Sequence, residues 1–149
     1  MNKELRRAEE WLNRNYGELK RLDADKRTLE VLSARVGARV GKLDRDGTES
    51  HDAAIAQARH EDSLFDYSIQ AEKVEREARS LALDLEKTRK AIAELEAEEL
   101  QAVAIDRYIN RFRWKDIAKF QHISEAEAFR RRIRMLEKMA VILRDGNYY

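Results

Sequence analysis

Cysteine and proline are both absent from the 149 residues, glycine occurs five times, and aromatics make up 7% of the chain. Without cysteine there are no structural disulfides, no thiolate zinc sites and no cysteine nucleophile. The glycines, Gly17, Gly37, Gly41, Gly47 and Gly146, are too dispersed to form a phosphate-cradling loop. The histidines, His51, His60 and His122, lack the close helical spacing of zinc ligands. No apolar run approaches the ~18 residues of a membrane span, and the opening MNKELRRAEEWL is charged instead of carrying a leader's apolar block. A soluble, intracellular (cytoplasmic) protein without metal, cofactor or membrane partner is therefore expected. Carboxylates abound but sit among lysines and arginines with no sign of a pocket that would tune a pKa, so no enzyme is read here.

What is present is charge. Charged residues make up 40% and hydrophobic ones 43%, too polar for a thick globular core and too apolar for a disordered chain. The net charge of +1 conceals a polarised distribution. Residues 1–46 carry 12 basic and 9 acidic groups, residues 61–100 carry 6 and 12, and residues 106–144 carry 11 and 5. Such asymmetry fits a basic end that meets a polyanion and an acidic middle held away from it; it also fits ordinary solvated helix faces.

Two heptad stripes dominate the first hundred residues. The first places Leu5, Leu12, Leu19, Lys26, Ser33 and Val40 at one core position and Ala8, Asn15, Leu22, Leu29, Val36 and Leu43 at the other. The second runs Leu64, Tyr67, Ala71, Val74, Ala78, Leu81, Leu85, Thr88, Ile92, Leu95, with Thr88 its one polar member. A lone helix would leave such a stripe in water, so each predicts a helix packed along its length. The polar segment DRDGTESHD, residues 44–52, predicts the turn between them. The expected fold is all-α: a long antiparallel, coiled-coil-like hairpin over 1–97, with Leu5 near Leu95 and Leu43 near Ile55, and a small domain over 98–149. Ser33, Gly37 and Gly41 form a small-residue row, marking either a close backbone approach or an early fraying of the helix. Pairing of two hairpins into a four-helix bundle would thicken a thin core and make a homodimer.

From about Glu98 the pattern changes to short apolar blocks: Val103, Ile105, Tyr108 and Ile109; then Trp114, Ile117 and Ala118; then Phe129, Ile133, Leu136 and Ala140. Ser124 followed by Glu127 is a capping-box spacing and predicts a helix beginning at Glu125. A short helix, a tight turn and a capped, Arg-rich helix make a helix-turn-helix pattern. In that frame Phe129 and Ile133 face the second helix, and Glu125, Glu127, Arg130, Arg131 and Arg134 are exposed to a major groove. Arg130 and Arg131 are the leading base or phosphate contacts, since a guanidinium fork can bond guanine O6 and N7 together. Either glutamate can accept from a cytosine amino group. Arg111, Arg113, Lys115 and Lys119 are placed to hold phosphate. Tyr108 and Trp114 suit either the small core or base stacking.

The stretch RYINRFRWKDIAKF, residues 107–120, followed by HISEAEAFRRRIRMLEKM, resembles the sigma-factor region-4-like helix-turn-helix of small phage transcription regulators of the ArpU and RinA group. The resemblance covers roughly residues 100–143 and is carried by Arg107-Tyr108-Ile109, Trp114, Ile117-Ala118, and Ser124 seven residues after Ile117. It departs from that pattern at His122, where the turn usually holds a small residue, and at Ala128, where a branched aliphatic is usual, with Phe129 next. The departure implies that the third helix is rotated relative to that pattern. The resemblance implies a phage- or prophage-encoded regulator of late-gene transcription in the bacterial host cytoplasm, binding double-stranded promoter DNA and touching host RNA polymerase. The alternative is a protein-interaction module that binds polymerase or another phage protein without DNA. A third reading, a structural coiled-coil protein of the virion, fits the localised basic segment less well.

Overall fold

The structure, a computed structural model, describes residues 1–46 and 51–149, with side chains described for 1–38 and 53–149. Among them are α1 (Lys3–Asp46), α2 (His51–Ala93), α3 (Glu98–Ala104) continued by a wide π-helical turn (Ile105–Ile109), α4 (Trp114–Phe120) and α5 (Glu125–Asp145). The fold is all-α, with α1 and α2 packed antiparallel and followed by the shorter helices. The expected turn near 44–52 includes residues 47–50, which lie outside the described residues, as do the side chains of Val40 and Leu43 and the surroundings of Gly41. No described helix is long and apolar enough to cross a membrane.

Packing divides the chain into two units, Met1–Tyr16 with Ala82–Tyr149, and Gly17–Leu81. The sequence pattern changes near residue 97, whereas the packing division crosses both long helices.

In the first unit, Asn2 starts α1 by accepting the Leu5 N–H at 2.9 Å through Oδ1. The stripe residues Leu5, Ala8 and Leu12 then pack with Ala91, Ile92 and Leu95 in one core that also takes Leu100, Tyr108, Met135, Leu136, Met139 and Leu143. Leu5 and Leu95 thus share a cluster, as an antiparallel hairpin requires. One polar member of each stripe meets beside it: Asn15, 1% exposed, donates from Nδ2 to Thr88 Oγ1 at 3.2 Å. The Thr88 hydroxyl in turn donates to the Asp84 carbonyl at 3.1 Å. Asn15 Oδ1 is buried without a hydrogen-bond partner, which costs stability. The double substitution Asn15→Leu with Thr88→Val is therefore expected to raise the urea-unfolding free energy by about 1–2 kcal/mol. A lowered value would show that the polar pair is a net stabiliser.

The C-terminal tail closes the same core from outside. Trp11 Nε1 donates to the Tyr148 carbonyl at 3.1 Å, the two rings meet edge-on at 5.5 Å, and Arg7 lies 3.9 Å over the Tyr149 ring. Nothing in the sequence pattern points to that contact.

In the second unit the stripe shifts phase. Lys26 and Ser33, expected at core slots, are exposed; Asp25 and Leu32 are half-buried in their place. The cause is local: Leu32, not Ser33, is the apolar residue one turn after Leu29, and a single three-residue step in place of four locally overwinds the helix. On α2, Ser63 is buried, with its hydroxyl on the Arg59 carbonyl at 3.0 Å, while Leu64 is exposed. Asp25 fills its slot by pairing. It shares a hydrogen bond with Glu77, stands 3.5 Å from Lys73 Nζ, and its carbonyl accepts from Gln70 Nε2 at 2.9 Å. The neighbouring Glu77 carboxyl lowers the Asp25 pKa, and burial raises that of Glu77. At Gly37 an added Cβ would meet nothing within 4 Å, and α1 runs on to Asp46, so neither a close approach at Gly37 nor early fraying is found.

Candidate nucleic-acid interface

The short helices are set by their ends. Chain reversal after α4 uses His122 at φ 54°, the left-handed conformation that glycine adopts without a Cβ clash. The residue that departs from the resemblance therefore occupies the backbone geometry a glycine would serve. His122→Gly is expected to stabilise the fold by about 0.5–1 kcal/mol in urea unfolding. A loss of stability would mean that the imidazole makes contacts worth more than the backbone strain.

Ser124 caps α5 as its spacing predicts, with φ −72°, ψ 158° and Oγ accepting the Glu127 N–H at 3.1 Å. The Glu127 carboxylate is engaged elsewhere. It accepts from Arg130 Nε at 2.9 Å, Arg134 Nη2 at 3.0 Å and Arg131 Nε at 3.5 Å. The Arg130 hydrogen bond, foremost among these, lowers its pKa.

The ten residues singled out from the sequence separate into three groups. Lys115, Lys119 and Glu125 are exposed; so is Arg113, whose Nε pairs with Asp116 Oδ2 at 3.2 Å. Arg130 and Arg134 have side chains 65% and 50% exposed and, among the described residues, pair with Glu127. Pairs so open to water are worth about 0–1 kcal/mol, so either guanidinium exchanges carboxylate for phosphate or a base at little cost. The rest turn inward or act locally. Arg131 is 19% exposed and donates to Gln121 Oε1 at 3.3 Å, beside the end of α4. Arg111, expected to hold phosphate, takes a left-handed backbone at φ 62° and folds onto α1, donating to Asn13 Oδ1 at 2.9 Å with its guanidinium over the Tyr16 ring. Its Nη2 is buried without a partner, and desolvation lowers its pKa. The π-helical turn and left-handed step before α4 impose this direction, which residue spacing does not encode. Ser124 serves as the cap.

Register within α5 also differs from expectation. Ala128 is 1% exposed and takes the inward position, while Phe129, expected to face α4, is 56% exposed. The buried line continues through Met135, Leu136, Met139 and Leu143. Ile105 is exposed and Ala104 buried, a one-residue exchange at the onset of the π-helical turn. Tyr108 belongs to the core and Trp114 is half-buried.

One network has no counterpart in the sequence reading. Glu9 of α1 accepts from Arg132 Nη2 at 2.7 Å on both carboxylate oxygens, from Arg132 Nε at 3.1 Å, and from the Tyr108 hydroxyl at 2.9 Å. Burial chiefly, and Glu9 next, push the Tyr108 pKa upward. The partners lie about a hundred residues apart in sequence, beyond the reach of any spacing rule. Along the outer side of α5, Glu127, Phe129, Arg130, Ile133 and Arg134 line an open depression of about 420 Å³. Among the described residues no group of His, Asp and Glu could hold a metal ion. Comparison of the chain with family models, curated proteins and solved structures gives no match.

Proposed function

We propose that this chain is a phage- or prophage-encoded transcription regulator that binds duplex promoter DNA through α4, the His122 turn and α5, acting by binding and recruitment without chemistry. The observation that supports it is a capped helix carrying Arg130 and Arg134 on its open side, preceded by a helix with Lys115 and Lys119 in water and Arg113 at its N-cap. In this reading the α4 cations hold phosphate and fix orientation, and α5 meets base edges. Exposed Val31, Ile55, Leu64, Phe65 and Ile69 within Gly17–Leu81 support pairing of two chains through the long helices, which would present two reading heads.

Fluorescence anisotropy with a labelled random-sequence duplex tests the electrostatic part. If four phosphates are neutralised, affinity is expected to fall roughly 10²-fold between 50 and 200 mM salt. No binding at the lower salt, or binding indifferent to salt, would remove the assignment.

A second reading, docking on RNA polymerase or another phage protein without DNA, is favoured by one feature. Phe112 and Phe120 are exposed and stack edge-to-face at 5.1 Å, an aromatic patch that phosphate binding does not require.

A further inference from the structure

We infer that Phe129 reads sequence: its ring packs on a thymine C5-methyl group in the major groove, beside a guanine taken by Arg130. The inference rests on the DNA-binding reading and names what the α5 surface selects.

Arg131, hydrogen-bonded to Gln121 where α4 ends, marks the side of α5 that faces α4, and Ala128, about 60° from it around the helix, is buried at 1%. At 100° per residue, Phe129, Arg130 and Ile133 fall on the other side. There the Phe129 ring, 56% exposed, and Ile133 supply the apolar part of the 420 Å³ depression, and Arg130 and Arg134 its cationic part. The cations select a polyanion. An apolar floor between them finds no partner in phosphate or sugar oxygens, but it fits a carbon group projecting from a base edge. Of the four bases, thymine alone presents a methyl in the major groove, and guanine offers the paired acceptors that an arginine fork bonds.

Position agrees with this role. Phe129 is the fifth residue after the Ser124 cap, within the first two turns that an inserted recognition helix brings to the bases. The ring also has a fixed neighbour: the Arg132 guanidinium lies 5.8 Å from its centroid and is itself clamped by Glu9.

The test selects a duplex from a random-sequence pool with the full-length chain, then replaces each thymine in turn by uracil, which removes only the methyl group. Wild-type affinity is expected to fall about three- to fivefold at one or two positions, the worth of one buried methyl. Phe129→Ala, an exposed site whose change leaves the fold intact, should lose that sensitivity while keeping salt-dependent binding; Phe129→Leu should keep part of it. Uracil replacement without effect at every position, or equal sensitivity in Phe129→Ala, overturns the inference while DNA binding stands. A chain that retains no duplex from the pool overturns the DNA-binding reading itself.

Discussion

Glu9→Ala is expected to cost about 2–4 kcal/mol of folding free energy, the largest effect of any single substitution outside the apolar core. The carboxylate is 16% exposed and its Arg132 partner 22%, so removal strands a guanidinium and the Tyr108 hydroxyl in surroundings that water reaches poorly. The same residues tie α1 to the π-helical turn and to α5, so the loss spreads over three elements. Glu9→Gln retains an acceptor and should cost about half as much. Urea unfolding followed by circular dichroism measures both, and a change below about 0.5 kcal/mol for Glu9→Ala would show that the network contributes no net stability. Its pH dependence has a definite sign. The Tyr108 pKa is raised in the folded chain, so this contribution is complete below the ordinary tyrosine value of 10.0 and is lost as pH rises from there toward the folded value. Tyr108→Phe should flatten that alkaline decline.

Arg130→Ala combined with Arg134→Ala should weaken duplex binding by on the order of 10²-fold, each guanidinium supplying ~1–3 kcal/mol if it meets a base and less if it meets phosphate. For each phosphate left unneutralised by the substitutions, the dependence of log affinity on log salt should become shallower by about 0.9. Glu127→Gln should act in the opposite direction. The carboxylate now neutralises Arg130 and Arg134 and stands where phosphates would approach, so its removal frees two cations and deletes one repulsive charge. The expected gain is about tenfold in affinity, accompanied by a small loss of stability, because an anion near the N-terminus of α5 favours the helix. Arg131 differs from that pair, since its bonds with Gln121 and Glu127 make it part of the α4–α5 packing. An unchanged affinity in the Arg130/Arg134 variant, with helicity intact, would exclude the outer side of α5 as the binding surface.

How far these sites were readable from the chain depends on the range of the interaction. Ser124 followed by Glu127 announces the α5 cap because a cap is made by residues three apart on one strand of backbone. The exposure of Lys115, Lys119 and Arg130 follows from a similarly local pattern. Arg111 shows the limit: two residues from Arg113 and alike in chemistry, it turns inward because a left-handed step reverses the chain beneath it. Phe129 and Ala128, adjacent in sequence and about 100° apart around the helix, take opposite roles, which depends on which neighbours cover the first turns of α5.

By itself the amino-acid order determined the all-α class, the two long helices with their antiparallel sense, and the start of α5, since periodicity and capping act over three to seven residues. Tertiary packing alone decided the tail packed on Trp11, the outward turn of Phe129 and the union of Glu9, Tyr108 and Arg132. Those outcomes depend on which surfaces meet, and a burial or ion pair between distant residues has no signature until the helices have packed.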